Sequence, residues 1–213
     1  MTDIDNKKPK TGGKPKAGGP PTTFSMPMYR QFVPKFIRPW IYLLLAFCFQ
    51  FANGMYLGAM NDVVGEWSLM REDVQMCLYA TLIGMALYFP VLFRMKFRFT
   101  NKSLLMVSAA VIVVCNLLAT IKMPLPALWA LCVVCGMAKI QGTFECMSNI
   151  QLWMTPKRDF GVFFPILHIV LLTSIEGAGY LAAWFAYHMH WTYMHWFVIL
   201  LMLIVLLVQA LLT

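Results

Sequence analysis

The chain has 213 residues, of which 60 % are hydrophobic and only 12 % charged, and it carries a net charge of +8. A soluble domain of this size has about 25 % charged residues, so the composition excludes an ordinary water-soluble enzyme or nucleic-acid-binding module. The basic excess is expected instead to lie against anionic lipid on one side of a bilayer.

Residues 1–27 are a basic Pro/Gly/Lys tail, with Lys7, Lys8, Lys10, Lys14 and Lys16 among paired glycines and prolines. So little apolar surface predicts disorder, and no apolar core marks a cleavable signal peptide. Residues 28–39 mix Tyr29, Phe32 and Phe36 with Arg30, Lys35 and Arg38. They read as an interfacial lead-in. Residues 40–213 read as an all-α bundle of six transmembrane helices, because six apolar stretches (40–60, 74–93, 104–121, 125–153, 162–187 and 193–212) each approach the ~20 residues that cross a hydrocarbon core.

Fourteen of the 17 Lys and Arg fall on one side of this layout. They comprise the tail and lead-in, the basic loop Arg94, Lys96, Arg98 and Lys102, and Lys157 with Arg158. The opposite loops hold only Arg71 and Lys122. By the positive-inside rule both ends of the bundle are expected in the cytoplasm, in a multi-pass protein of an inner or plasma membrane.

Ionisable groups inside a membrane helix are costly and mark pathways or paired sites. In the first stretch Gln50 and Asn53 are the polar groups, and in the third Asn116. The fourth stretch carries Gln141, Glu145 and Asn149 at i, i+4 and i+8, a single stripe along the helix. Such a stripe lines a wet cavity or bonds helices together, and the carboxylate favours the cavity. Lys139 points about 120° away from Glu145 on the same helix, so it needs a partner elsewhere. In the fifth stretch Thr173, Glu176 and Tyr180 share a face. Glu176 lies near mid-span, where a carboxyl can trade protons as access alternates. Gly177, Gly179, Ala182 and Ala183 are expected to let a neighbouring backbone approach closely. The sixth stretch is featurelessly apolar from 197 to 208 and is expected to face lipid. His188, His190 and His195, with Trp191, Tyr193 and Trp196, read as an interfacial aromatic belt.

The six cysteines all lie in apolar stretches and read as small packing residues. Cys132-x-x-Cys135 lacks a second ligand pair, so no metal site and no cofactor are expected. No nucleophile–base constellation appears either, so an enzyme is not expected.

Two segments carry a family resemblance. Ala178-Gly179-Tyr180-Leu181-Ala182-Ala183-Trp184, followed by His190-Trp191-Thr192-Tyr193-Met194-His195-Trp196, resembles the helix 5 antiporter motif and following aromatic turn of the fourteen-helix multidrug:proton antiporters. Lys139-Ile140-Gln141-Gly142 resembles their helix 4 motif, with the basic residue one place nearer the glutamine. With its six spans, the chain resembles the N-terminal half of a major facilitator superfamily transporter. The resemblance implies alternating-access movement of a small solute, with protons as the coupling partner in efflux. Gln50, Asn53, Gln141, Glu145 and Asn149 would line the substrate cavity. Glu176 or Glu145 would carry the proton, and Lys139 would be a counter-charge or gate. The Gly/Ala face at 177–183 would be the packing hinge. Such transporters bind substrate between two halves, so a truncated C-terminal half or a second subunit is expected as partner. The alternative is a non-transporting scaffold, or a partner subunit in which the polar stripe is an assembly interface.

Overall fold

The computed structural model describes residues 34, 37–52, 58–154 and 160–212, and in them helices are the only regular secondary structure. Seven helices follow in order: α1 (Arg38–Gln50), α2 (Met60–Trp67), α3 (Arg71–Arg98), α4 (Asn101–Ala119), α5 (Leu125–Met154), α6 (Phe160–His188) and α7 (Thr192–Leu212). Five contain segments long and apolar enough to cross a membrane: Arg71–Leu92, Asn101–Ala119, Leu125–Gln151, Phe164–His188 and Thr192–Leu211. They support a multi-pass membrane protein.

The first expected span differs from the other five. Pro39 fixes the opening turn of α1, but the helix has 13 residues, about 20 Å at 1.5 Å per residue. That is short of a core ~30 Å thick. Residues 53–57 lie outside the described residues, and the chain beyond them forms the separate eight-residue helix α2. Ser68 closes α2 in the left-handed region at φ 55°, unusual for a residue other than glycine.

The expected basic loop is almost entirely helix. Arg94, Lys96 and Arg98 belong to the end of α3, and Lys102 to the first turn of α4. Only Phe99 and Thr100 separate the two helices. Two local features make this short link possible. Cations in the last turn of α3 complement its dipole. The Thr100 hydroxyl then accepts the Ser103 N–H at 3.3 Å, capping α4. At the other end of α3, the Asp73 carboxylate accepts the Met70 N–H at 3.1 Å.

Contacts along the helices fix their directions. Trp129 Nε1 donates to the Asp73 carbonyl at 3.3 Å, Phe89 meets Phe144 edge-on at 5.6 Å, and Lys96 reaches Ser148 at 2.5 Å. Both residue numbers rise together, so α3 and α5 run parallel. The pairs Asn101–Asn149 and Leu104–Gln141 run in opposite senses, so α4 is antiparallel to α5. The bundle therefore has one end with Arg94, Lys96, Arg98 and Lys102. The end at which α3 and α5 begin carries Arg71, Glu72, Asp73 and Lys122.

Helix α5 is central and packs on α1, α3 and α4, while α4 packs on α7, and α6 leans on α1 and more lightly on α7. The closest approach is between α3 and α5. A Cβ on Gly84 would lie 2.1 Å from the Val133 carbonyl oxygen, and one on Gly136 2.1 Å from that of Thr81. Two glycines thus bring the backbones together, the membrane counterpart of apolar collapse. Val198, Met202 and Val205 of α7 are buried, whereas Leu200, Leu203 and Leu207 on its other side are exposed. The sixth stretch accordingly turns only one face outward.

Candidate functional site

Two sets of polar side chains along the helices have opposite surroundings. The first is the α5 stripe. Gln50, Gln141, Glu145 and Asn149 are all buried. Gln141 Nε2 donates to the Leu104 carbonyl of α4 at 3.1 Å, and Asn149 Oδ1 accepts from Asn101 Nδ2 at 3.2 Å. Gln50 Nε2 donates to Thr143 Oγ1 at 3.1 Å, and Thr143 donates back to the Lys139 carbonyl at 3.0 Å. The amides of the stripe tie α5 to α4 and α1. Within this chain each of these amides has one partner on a neighbouring helix, while Asn149 Nδ2 is buried without one among the described residues. Asn53 lies outside the described residues.

Glu145 is the exception within the stripe. Its carboxylate is fully buried, 3.7 Å from Lys96 Nζ of α3, and Lys96 donates to Ser148. Among the described residues neither Glu145 oxygen accepts a hydrogen bond, and the buried Tyr88 hydroxyl of α3 also lacks one. Lys96 was expected in a cytoplasmic loop and is instead the counter-ion of the bundle's most buried carboxylate. The signal was present in the spacing: Tyr88 and Lys96 stand eight residues apart, on one face of α3 once the helix is known to reach Arg98. Lys139 is also buried and forms no ion pair with Glu145 or with any other carboxylate of the described residues.

The second group lies on α6. Thr173, Glu176 and Tyr180 are all exposed, Tyr180 by 72 %. Glu176 stands at the centre of the apolar segment Phe164–His188 and makes no hydrogen bond or ion pair with any described residue. His168 is exposed on the same helix, its ring nitrogen only bonded to the Phe164 carbonyl one turn back. His168, Thr173, Glu176 and Tyr180 of α6 therefore leave the bundle, with Ser174 buried between them, whereas Gln141, Glu145 and Asn149 of α5 enter it.

The small residues of α6 receive a neighbour at 179–183 and not at Gly177. A Cβ on Gly177 or Gly179 would meet nothing within 4 Å. The close approach is made from the other side by Gly58, whose Cβ would lie 2.5 Å from the Gly179 carbonyl oxygen and 2.8 Å from Ala182 and Ala183. The backbone at 179–183 does receive a neighbour, but the missing side chain that admits it belongs to Gly58.

The aromatic turn between α6 and α7 is also more structured than an interfacial belt. Trp191 is buried against Trp67, with ring centroids 5.2 Å apart, and its indole N–H donates to Glu66 of α2. His190 Nε2 lies 3.2 Å from Glu66. His195 is fully buried with Nδ1 3.0 Å from Asn116 Oδ1. Because Asn116 Nδ2 already donates to the Ile112 carbonyl, Oδ1 is the acceptor and the His195 proton sits on Nδ1. His188 stacks on Trp184 at 4.8 Å. The six cysteines are free and buried, as packing residues require.

No family model matches the chain, and no curated protein or solved structure is significantly similar to it.

Proposed function

We propose that this chain is a six-span half of a secondary transporter that moves a small amphipathic solute by alternating access, with proton-coupled efflux as its mode. In this reading residues 40–60 are the first span, both ends face the cytoplasm, and a second half or subunit completes the solute path. The observation that carries it is Glu176: a carboxyl at the centre of an apolar span, exposed from its own bundle and flanked by Thr173 and Tyr180. A charge facing hydrocarbon costs at least ~2.5 kcal/mol, so this face turns to water or to protein. Glu176 then carries the proton, and the buried Lys139 is the gate.

The packing scheme lends support. Exchange the three-helix unit α1, α3, α4 with α5, α6, α7. The pair α3–α5 then becomes α6–α1, α4–α5 becomes α7–α1, and α1–α5 and α4–α7 map onto themselves. All four of these are packed pairs, as in an inverted three-plus-three repeat, although α6–α7 has no comparably packed counterpart in α3–α4. The charge difference between the two bundle ends supports the orientation.

The test uses the polypeptide purified from its own membrane and reconstituted in liposomes with a trapped pH dye. An imposed gradient of a lipophilic cation such as ethidium should drive proton movement. Glu176→Gln should abolish it. Unchanged coupling in both Glu176→Gln and Glu145→Gln would sink the proton role.

A second reading is favoured by one observation: the amides of Gln50, Gln141 and Asn149 act as helix glue. In a non-transporting subunit the α6 face would be covered by a partner instead of water, and crosslinking from Thr173→Cys would trap that partner.

A further inference from the structure

The bundle has a concave outer surface that the transport reading does not use. Helices α4 and α5 are tied by polar bonds near the Arg98 end, through Asn101–Asn149 and Gln141–Leu104. Toward Lys122 they face one another through the small residues Ala110, Ala127 and Ala130, and a cleft of about 720 Å³ opens between them. Its walls are Val107, Val114 and Leu118, which are 50 %, 54 % and 44 % exposed. Every lining side chain is apolar apart from the Cys115 thiol.

Three features identify the occupant. The cleft extends along α4 from Val107 to Leu118, about 16 Å at 1.5 Å per residue. That is close to half of a ~30 Å hydrocarbon core, the depth of one leaflet. Its mouth is marked by Met123, in the α4–α5 connection. The residue before it, Lys122, is exposed and forms no ion pair with any described residue. A cation next in the chain to the Met123 end of a one-leaflet apolar slot suits a phosphate headgroup above an acyl chain.

We infer that the α4–α5 cleft is a phospholipid site, with one acyl chain in the slot and the phosphate on Lys122. The site needs only the membrane location of the chain, so it stands whether or not Glu176 couples protons.

The experiment is native mass spectrometry of the detergent-purified protein incubated with phosphatidylglycerol, compared with diacylglycerol. Wild type should retain one phosphatidylglycerol through delipidation that strips the rest. Lys122→Glu, an exposed connection residue, should lower retention by at least about fivefold and leave the melting temperature unchanged. Ala127→Trp, which fills the slot, should abolish it. Four results would overturn the proposal: no retained lipid in wild type; equal retention in wild type and both variants; diacylglycerol held as well as phosphatidylglycerol; or a dimer that Ala127→Trp dissolves, which would make a second copy the occupant.

Discussion

Helices α5 and α6 carry the same kinds of residue and use them in opposite ways. On α5, Gln141 and Asn149 reach carbonyl and amide partners on α4, and Glu145 is sealed beside Lys96. On α6, Thr173, Glu176 and Tyr180 point out of the bundle and find no partner in it. A carboxyl in an apolar helix is thus not by itself a transport site. Their surroundings differ: Glu145 is sealed 3.7 Å from Lys96, and Glu176 meets no partner among the described residues.

Substitutions can break this contrast in order of expected effect. The strongest concerns the scaffold on which the α5 charges depend. Gly136→Leu would drive a side chain into the Thr81 carbonyl, where backbone cannot yield. It should cost at least ~3 kcal/mol, the upper end of overpacking penalties, seen as loss of a cooperative melt in detergent. Gly84→Leu should match it.

Next comes the buried pair. Lys96→Met leaves Glu145 without its counter-ion and should destabilise by about 3 kcal/mol. Adding Glu145→Gln should recover most of that loss, and a double-mutant cycle should return a coupling above ~1 kcal/mol. Additive losses would show that the 3.7 Å approach carries no energy.

Smaller still is the amide tie between α1 and α5. Gln50→Ala removes one buried hydrogen bond and should lower stability by about 1 kcal/mol. Glu176→Gln, by contrast, should shift the melting midpoint by less than the equivalent of ~0.5 kcal/mol, because nothing in the bundle holds that carboxyl. A large loss would place it in a structural role like that of Glu145. At the bottom of the scale, Gly177→Ala meets open space and should be neutral or gain up to ~1 kcal/mol of helix propensity.

The apolar lengths made five of the helices legible in the sequence, since lipid demands that each span satisfy its own backbone. Period also placed Thr173, Glu176 and Tyr180 together, and set Lys139 apart from Glu145. What one helix cannot disclose is what its faces meet. The stripe of α5 looked the same whether it lined water or touched α4. Lys96 was hidden because a run of cations after an apolar stretch reads as a loop, whereas α3 continues to Arg98. The glycines misled for a related reason. Gly177 and Gly179 form a visible pair, but Gly58, Gly84 and Gly136 stand alone in sequence and make the close approaches only because another backbone crosses there.

The most direct test of the contrast is thiol accessibility in native membranes, where all six natural cysteines are buried. Thr173→Cys keeps Glu176 intact on the α6 face, and Asn149→Cys sits in the α5 stripe. A charged, water-borne thiol reagent should label position 173 rapidly and leave position 149 unlabelled. Labelling at 149 with none at 173 would contradict the account, because the water path would then run along α5 and the Glu176 face would be closed.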